Sequence, residues 1–162
     1  MAEPASAAEI AESATVAAVL TVLRMSRVME RIDAGVSPQQ YRMLKLIGAG
    51  GERSARLAER LAVAKPTLTS TADSLVAAGL VCREAEPGDR RVVRLHLTEA
   101  GQAAVARADE AYAGWLDDLL GYTGRKDEIL GSLQLLDESM TERRRARRPA
   151  PDTSTDTSAG QQ

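Results

Sequence analysis

Soft metal ligands and aromatic side chains are scarce in this chain of 162 residues. It has one cysteine, one histidine, one tryptophan, three tyrosines and no phenylalanine. A single cysteine excludes an intrachain disulfide framework and suits a reducing cytosol. One cysteine and one histidine are also too few for a zinc site of the usual kind, so we expect no metal and no cofactor.

Long apolar runs are absent as well. No run approaches the roughly 20 residues that a membrane helix needs, and Met1-Ala2-Glu3-Pro4 lacks the basic region of a signal peptide. We therefore expect a cytoplasmic protein without a membrane partner. No Ser/His/Asp set, Cys/His pair or nucleotide-binding loop has usable spacing, which argues against an enzyme.

The net charge of -2 hides an uneven distribution. Residues 36–98 carry ten basic and six acidic residues, whereas residues 1–35 carry three and five and residues 99–162 carry eight and twelve. The middle segment is thus net +4 between flanks of net -2 and -4. Because salt limits the reach of a charge to about 8–10 Å, a local excess matters more for phosphate binding than the total.

Helical periodicity dominates the first half of the chain. Residues 7–32 contain no glycine or proline, and their apolar residues recur at helical spacing, which predicts one long helix. Ser37, Pro38 and Gln40 then form a start signal with a capping box, which predicts a second helix to about residue 47.

Two short helices joined by a tight turn follow. The first is predicted over residues 53–61, and Pro66 opens the second. The second has an apolar stripe at i, i+4, i+7 and i+8 and ends at Gly79. The stripe consists of Leu68, Ala72, Leu75 and Val76.

The period then changes from helix to strand. A short strand over residues 80–83, a turn at residues 87–90 and the alternation of Val93, Leu95 and Leu97 predict a single β-hairpin. An isolated hairpin is only marginally stable, so this one must pack on the preceding helices.

Two more helices complete the pattern. Thr98 is predicted to cap a helix that runs to about residue 120, and Thr123 to cap a last helix. We expect the apolar face of that helix to point inward: Ile129, Leu133, Leu136 and Met140. A cluster of arginines between Arg143 and Arg148 precedes residues 149–162, which are too polar to fold.

This order of elements predicts a winged helix-turn-helix, and five motifs resemble the MarR (multiple antibiotic resistance regulator) family. An Asp-Arg-Arg wing tip followed by Leu-Thr-x-x-Gly, at this distance from a helix-turn-helix, is the most specific part. The resemblance covers roughly residues 36–101 by motif and most of the chain by helix order. The motifs are Ala58-Glu59-Arg60-Leu61, Thr67-Leu68-Thr69, Leu75-Val76-Ala77-Ala78-Gly79-Leu80-Val81-Cys82-Arg83, Pro87-Gly88-Asp89-Arg90-Arg91 and Leu97-Thr98-Glu99-Ala100-Gly101.

The resemblance implies a mainly α fold with one β-hairpin wing. Residues 1–35 would form an N-terminal dimerisation helix, 36–98 the DNA-binding domain, 99–142 the C-terminal dimerisation helices and 143–162 a basic, then polar, disordered tail. It also implies a homodimeric transcription regulator on double-stranded DNA at a pseudo-palindromic operator. We expect a repressor that a small aromatic effector releases.

The helix that begins near Pro66 is the expected reading helix. Its polar face is rich in short hydroxyls, which bond phosphates or base edges. The family often has arginine where this sequence has Ser70, so we expect weaker direct base readout from this helix. The candidate DNA-binding residues here are Lys65, Pro66, Thr67, Thr69, Ser70 and Ser74.

Positive charge is expected mainly from the wing. Arg90 and Arg91 would reach the minor groove or the phosphates, and the resemblance makes Asp89 the residue that orients a neighbouring arginine. Arg53 and Arg56 would meet phosphate near the start of the preceding helix. For each arginine the alternative is a solvated surface charge.

Four other features have weaker functional interpretations. The resemblance places Tyr112 and Trp115 near an effector crevice, with packing as the alternative for both. Cys82 is expected to be a packed residue rather than a redox switch, and His96 an outward strand residue. The Arg143–Arg148 cluster is expected to be a solvated tail.

A rival function also fits the sequence. Because the reading helix lacks the arginine that the family often has, the chain could be a winged-helix module for protein interaction with weak or lost DNA binding.

Overall fold

The computed structural model describes residues 7–49, 57, 60, 61, 63–86 and 89–147, with the backbone alone for residues 7–12, 86 and 89–92. The chain divides into two compact units, Met1–Leu116 and Asp117–Gln162. Leu57, Arg60 and Leu61 are also helical. The elements are α1 (Ala7–Met29), α2 (Pro38–Gly48), α3 (Lys65–Ala77), β1 (Val81–Glu86), β2 (Asp89–Leu97), α4 (Glu99–Gly121) and α5 (Lys126–Ala146).

The predicted start signal of α2 and the predicted stop signal of α3 are confirmed. At the start of α2, the Gln40 backbone N–H donates to Ser37 Oγ over 3.2 Å, and the Ser37 N–H donates to Gln40 Oε1 over 2.9 Å. At the end of α3, Gly79 has φ +71, and the Leu80 N–H donates to the Leu75 carbonyl. This reciprocal cap and this glycine stop fix where the two helices begin and end.

One apolar core holds the first unit together. The buried stripe of α3 packs with the inner face of α2 and with one residue from each strand of the hairpin, as the sequence predicts. Val76 packs at its edge, partly buried. The buried residues of this core are Met43, Leu44, Ile47, Leu57, Leu61, Leu68, Ala72, Leu75, Val81 and Leu95.

The hairpin is antiparallel, with Val81 paired with Leu97 and Ala85 with Val93. The register shifts between Ala85 and Glu86, so that Glu86 pairs with Asp89. The predicted four-residue turn is therefore too long, because residues 89 and 90 already belong to β2.

A tight junction connects the end of α3 to the start of α4. Thr98 Oγ1 donates to the Gly79 carbonyl over 2.7 Å and accepts from the Gly101 N–H over 3.0 Å. The Thr98 N–H donates to the Leu80 carbonyl. Thr98 is thus the predicted cap of α4, and it also ties α4 to the turn that follows α3.

Two predictions for the second unit are wrong. Thr123 does not cap α5: its hydroxyl donates to the Leu120 carbonyl and accepts from the Arg125 N–H, so it closes the turn before the helix. The expected inward face of α5 is not inward in a single chain, since no residue of α5 is buried. Leu136 and Met140 are 60% and 63% exposed.

The predicted fold class is confirmed: the described residues are mainly helical, with a single hairpin placed as the wing after a helix-turn-helix. The first helix ends at Met29 rather than near residue 32. Among the described residues, no helix is both long and apolar enough to cross a membrane.

Candidate nucleic-acid interface

The outer face of α3 is polar and exposed. Because Leu68, Ala72 and Leu75 are buried, helical geometry turns the intervening positions toward solvent. All six candidate residues of α3 are exposed and lie along the first two and a half turns of the helix: Lys65, Pro66, Thr67, Thr69, Ser70 and Ser74.

The hydroxyls on this face differ in their availability. Thr69 Oγ1 donates to the Lys65 carbonyl over 3.0 Å, and Ser74 Oγ donates to the Thr71 carbonyl over 3.0 Å. Neither Thr67 nor Ser70 forms a side-chain hydrogen bond within the described part of the chain. Thr67 and Ser70 can therefore offer both donor and acceptor to a ligand without breaking an internal bond.

The first turn of α2 lies beside this face. Gln39 Nε2 donates to Thr71 Oγ1 over 3.4 Å, and Gln40 Nε2 donates to Ser74 Oγ over 3.2 Å. The two helices border an open depression of about 310 Å³. Its described lining residues all have hydroxyl or amide side chains: Ser37, Gln39, Gln40, Ser70, Thr71 and Ser74.

An ion pair connects the hairpin to α3. The Arg83 guanidinium of β1 donates to Asp73 Oδ1, and both side chains are about half exposed. Asp73 lies on the exposed side of α3 and holds the wing strand. This contact fixes the hairpin against the same helix that carries the exposed hydroxyls.

Five predicted site residues cannot be judged from side-chain geometry. Residues 89–91 lie in β2, at the end of the hairpin away from the core, and only their backbone is described. Arg53 and Arg56 lie outside the described residues. Their roles as DNA contacts stay predictions.

Tyr112 is an internal residue of the first unit. Its hydroxyl donates to the Val36 carbonyl over 3.1 Å, and its ring lies 5.0 Å from that of Tyr41, centroid to centroid. Burial raises the pKa of Tyr112 above its ordinary value. Trp115, one turn further along α4, is half-buried. The structure thus supports packing for Tyr112, and the effector role of both residues stays a prediction.

The single cysteine and the single histidine of the sequence lie on the wing. Cys82 is exposed, not packed as expected, and its Sγ lies 3.7 Å from the His96 carbonyl. His96 Nε2 lies 3.4 Å from Glu84 Oε2. Within the described ranges, no three His, Cys, Asp or Glu side chains are grouped as metal ligands.

An exposed polar helix, a supporting helix and an adjoining hairpin define the winged-helix class of DNA-binding folds. A profile of the MarR family matches residues 34–92. A Thauera aromatica protein described as a transcriptional regulatory protein for the hcr operon is 35% identical over 78 residues, which is 48% of this chain and 47% of that one. The chain spans about half the length of the curated relatives that it matches.

Solved structures match over most of the chain. The transcriptional repressor CouR, bound to a 23-mer DNA duplex, is 28% identical with a TM-score of 0.65, over 83% of this chain and 99% of that one. Apo MarR from E. coli is 21% identical with a TM-score of 0.64, over 85% of this chain and 98% of that one.

Residues 34–92 thus match the MarR family, and the fold is that of MarR-family winged-helix structures. This confirms the resemblance seen in the five sequence motifs.

Sequence reasoning missed several contacts that build the site. Gln40 was recognised only as a capping residue, although its amide also supports Ser74. Gln39 and the Asp73–Arg83 pair were not predicted as supports of α3. The spacing of polar residues along a helix shows which face they share, but it does not show which distant element that face contacts. The one available signal is that two glutamines, Gln39 and Gln40, stand side by side in the first turn of α2, whereas the capping box uses only Gln40.

Proposed function

We propose that the protein binds DNA sequence-specifically as a homodimer at a pseudo-palindromic operator. The observation that carries this proposal is the exposed face of α3, where Thr67 and Ser70 present hydroxyls that have no hydrogen bond to the described part of the chain, beside Lys65. An α-helix fits the major groove, and short hydroxyls bond either base edges or phosphates there. The wing beside it supplies arginines for the backbone or the minor groove.

The charge of this face favours positioning over strong base readout. Lys65 is the only basic residue of α3, so a bidentate arginine–guanine pair, worth about 1–3 kcal/mol per base, is not available from this helix. We therefore propose that affinity depends largely on phosphate contacts and DNA shape. The polar depression between α2 and α3 is suited to a wet interface, in which waters bridge to DNA.

The homodimer is supported by apolar faces that one chain leaves uncovered. Val16, Val19, Leu20 and Leu23 of α1 are each more than half exposed. Helix α5 has no buried residue, yet Ile129, Leu133, Leu136 and Met140 form one stripe along it. A helix this amphipathic gains most of its stability from packing, so a second copy is the proposed cover.

We further propose that the protein acts as a repressor and that a small aromatic effector releases it. Trp115 is half-buried one turn from Tyr112, and so its fluorescence can report a ligand near α4. A ligand that quenches Trp115 and also releases DNA would support effector control, whereas no release across a broad aromatic panel would contradict it. No catalytic role is proposed, and a cytoplasmic location stays a prediction that follows from DNA binding.

A second candidate function is a protein-interaction module with weak or lost DNA binding. The scarcity of cations on α3 is the observation that favours it. A mobility shift on the protein's own promoter, with excess nonspecific DNA and a salt series, separates the two. Specific retardation with a steep salt slope supports the regulator. If nonspecific DNA at the same concentration as the promoter fragment abolishes the retardation, the result supports the interaction module.

A further inference from the structure

A carboxylate of α4 holds two side chains of α2. The Tyr41 hydroxyl donates to Asp109 Oδ1, and Lys45 Nζ lies 3.1 Å from each carboxylate oxygen. The hydrogen bond from Tyr41 and, after it, the Lys45 ammonium hold the pKa of Asp109 below its usual range. Asp109 is therefore ionised at neutral pH, and its bonds to α2 are of the charge-assisted kind.

Aromatic packing strengthens the same connection. The Tyr41 ring is tilted against Tyr112 of α4, and the Tyr112 hydroxyl is bonded to the Val36 carbonyl just before α2 begins. Ala34 and Ala108 complete a small buried cluster with Tyr112. The start of α2 is thus held to α4 by a packed cluster and a charged one.

The same turn of α2 also supports α3. Gln39 and Gln40 donate to Thr71 and Ser74, and the next residue, Tyr41, donates to Asp109. Three consecutive residues therefore join α2 to two different helices. A line of contacts thus runs from α4 to the exposed face of α3, with side-chain contacts at both ends and the backbone of the first turn of α2 between them.

We propose that Asp109 is a positioning residue for DNA recognition, which sets the orientation of α3 through Tyr41 and Lys45 of α2. The inference rests on the proposed DNA-binding function. Asp109 lies on α4, and its described contacts are with α2 rather than with α3. Base readout requires side chains held within about 0.5 Å of their productive geometry, so a loosened α2 lowers specific affinity more than general attraction to phosphate.

The test compares Asp109→Asn with Glu110→Gln. Both replace an acid by its amide at neighbouring positions of α4, but the Glu110 side chain is exposed and has no hydrogen bond or ion pair inside the described ranges. Affinities are measured by fluorescence anisotropy for a duplex selected by the wild-type protein and for a shuffled duplex of equal length. Asp109→Asn is expected to lower the specific affinity by about twofold to thirtyfold and to leave the shuffled duplex and the salt slope unchanged. Glu110→Gln is expected to change neither affinity.

A second variant guards against a simple folding defect. Tyr41→Phe keeps the ring against Tyr112 but removes the hydroxyl that Asp109 accepts. It is expected to reduce specific affinity in the same direction, with the melting temperature recorded for every variant. Equal losses on both duplexes, or equal losses in Glu110→Gln, would overturn the proposal.

A double-mutant cycle tests the line of contacts itself. Ser74→Ala removes the acceptor that Gln40 uses on α3. The effects of Asp109→Asn and Ser74→Ala on specific affinity are expected to be non-additive, whereas Glu110→Gln and Ser74→Ala should add, as independent sites do. Strict additivity in both cycles contradicts the proposal.

Hydrogen exchange on the DNA-free protein separates this inference from the proposed function. Asp109→Asn is expected to accelerate amide exchange in the first turn of α2 and around Thr71–Leu75 of α3, and Glu110→Gln is not. If the wild-type protein binds both duplexes equally, the DNA-binding function fails. Unchanged exchange in α3 overturns the positioning link whatever the DNA result.

Discussion

Thr98 and Gly101 explain physically why the Leu-Thr-x-x-Gly motif is informative. The Thr98 hydroxyl bonds at once to the Gly79 carbonyl and to the Gly101 N–H. A Cβ at Gly101 would lie 2.0 Å from the Leu80 carbonyl oxygen, which is backbone and cannot rotate away. The motif therefore indicates a close approach between the start of α4 and the turn after α3. It is specific because it predicts this one tertiary contact, whereas most turn residues predict only a turn.

Gly101→Ala is expected to destabilise the fold by about 1–3 kcal/mol, because the backbone of the α3–β1 turn must move to admit the methyl group. Gly114→Ala is the matched control on the same helix, since a Cβ there meets nothing within 4 Å in the described chain. It should be neutral or stabilise by about 0.5–1 kcal/mol. Urea unfolding measures both, and an equal effect of the two substitutions would contradict the close approach.

Tyr41 links stability to alkaline pH. Burial, and then the hydrogen bond to Asp109, raises the pKa of Tyr41 from 10.0 to about 12. A raised pKa means that the folded state holds the proton more tightly, so this stabilisation is complete below pH 10 and is lost as pH rises from 10 toward 12.

The free energy of unfolding is therefore expected to fall between pH 10 and 12, and to fall less steeply in Tyr41→Phe. Tyr122→Phe is the control, because the Tyr122 side chain is 92% exposed. Urea titrations at several alkaline pH values measure the slopes. Identical slopes in the wild type and in Tyr41→Phe would rule out this coupling.

Local sequence signals predicted where helices and strands begin and end, whereas the contacts between elements distant in sequence could not be predicted. The capping box at Ser37, the stop at Gly79 and the alternation that ends at Leu97 each depend on neighbours in the chain, and all three are confirmed. Thr123 misled because a threonine before a helix suits a turn as well as a cap. The stripe of α5 has the right period, but periodicity cannot tell whether its cover is the same chain or another one.

The candidate site was predictable to the same extent. The exposed residues of α3 follow from the buried stripe on its other side, so the exposure of Thr67 and Ser70 was predictable from sequence. Their supports were not, because Gln40 meets Ser74 at a separation of 34 residues. The pair of Asp73 and Arg83 was not predictable either, because the turn and the strand between them decide that the two side chains meet.

The wing prediction concerns Arg90. Arg90→Ala is expected to weaken binding to the operator and to nonspecific DNA alike, and to reduce the salt slope by about one, because a phosphate contact carries no sequence information. Arg147→Ala removes the same charge after α5 and should change neither quantity. An unchanged affinity of Arg90→Ala in a low-salt mobility shift would contradict a role at the DNA backbone.

The exposed apolar faces of α1 and α5 are the basis of the proposed homodimer. Leu136→Glu places a charge in the stripe of α5 and is expected to shift the chain toward monomer, since burying a leucine contributes about 1.5–3 kcal/mol per copy. Gln134→Glu adds the same charge on the opposite side of α5 and should leave the dimer intact. Sedimentation equilibrium measures both, and a wild-type protein that stays monomeric at micromolar concentration would contradict the dimer.

The arginines at the end of α5 allow a test of whether all the positive charge of the chain contributes to DNA binding. Arg143, Arg144 and Arg145 lie in the last turn of α5, in the second unit, and Arg145 Nη1 lies 3.8 Å from Glu142 Oε2. Deleting residues 143–162 is expected to leave operator affinity within about tenfold, or about 1.4 kcal/mol. A larger loss in the same binding assay would assign these arginines to the interface.

In the proposed function, two copies of this chain read DNA with α3 and the wing. Hydroxyl-radical footprinting of the wild-type protein on its selected operator tests this most directly. We expect two protected half-sites related by a two-fold axis, with centres about one helical turn (10–10.5 base pairs) or a multiple of it apart. Protection should be weaker for the Thr67→Val and Ser70→Ala variants, while the spacing of the two half-sites stays the same. A single protected patch, or uniform protection without sequence preference, would contradict it.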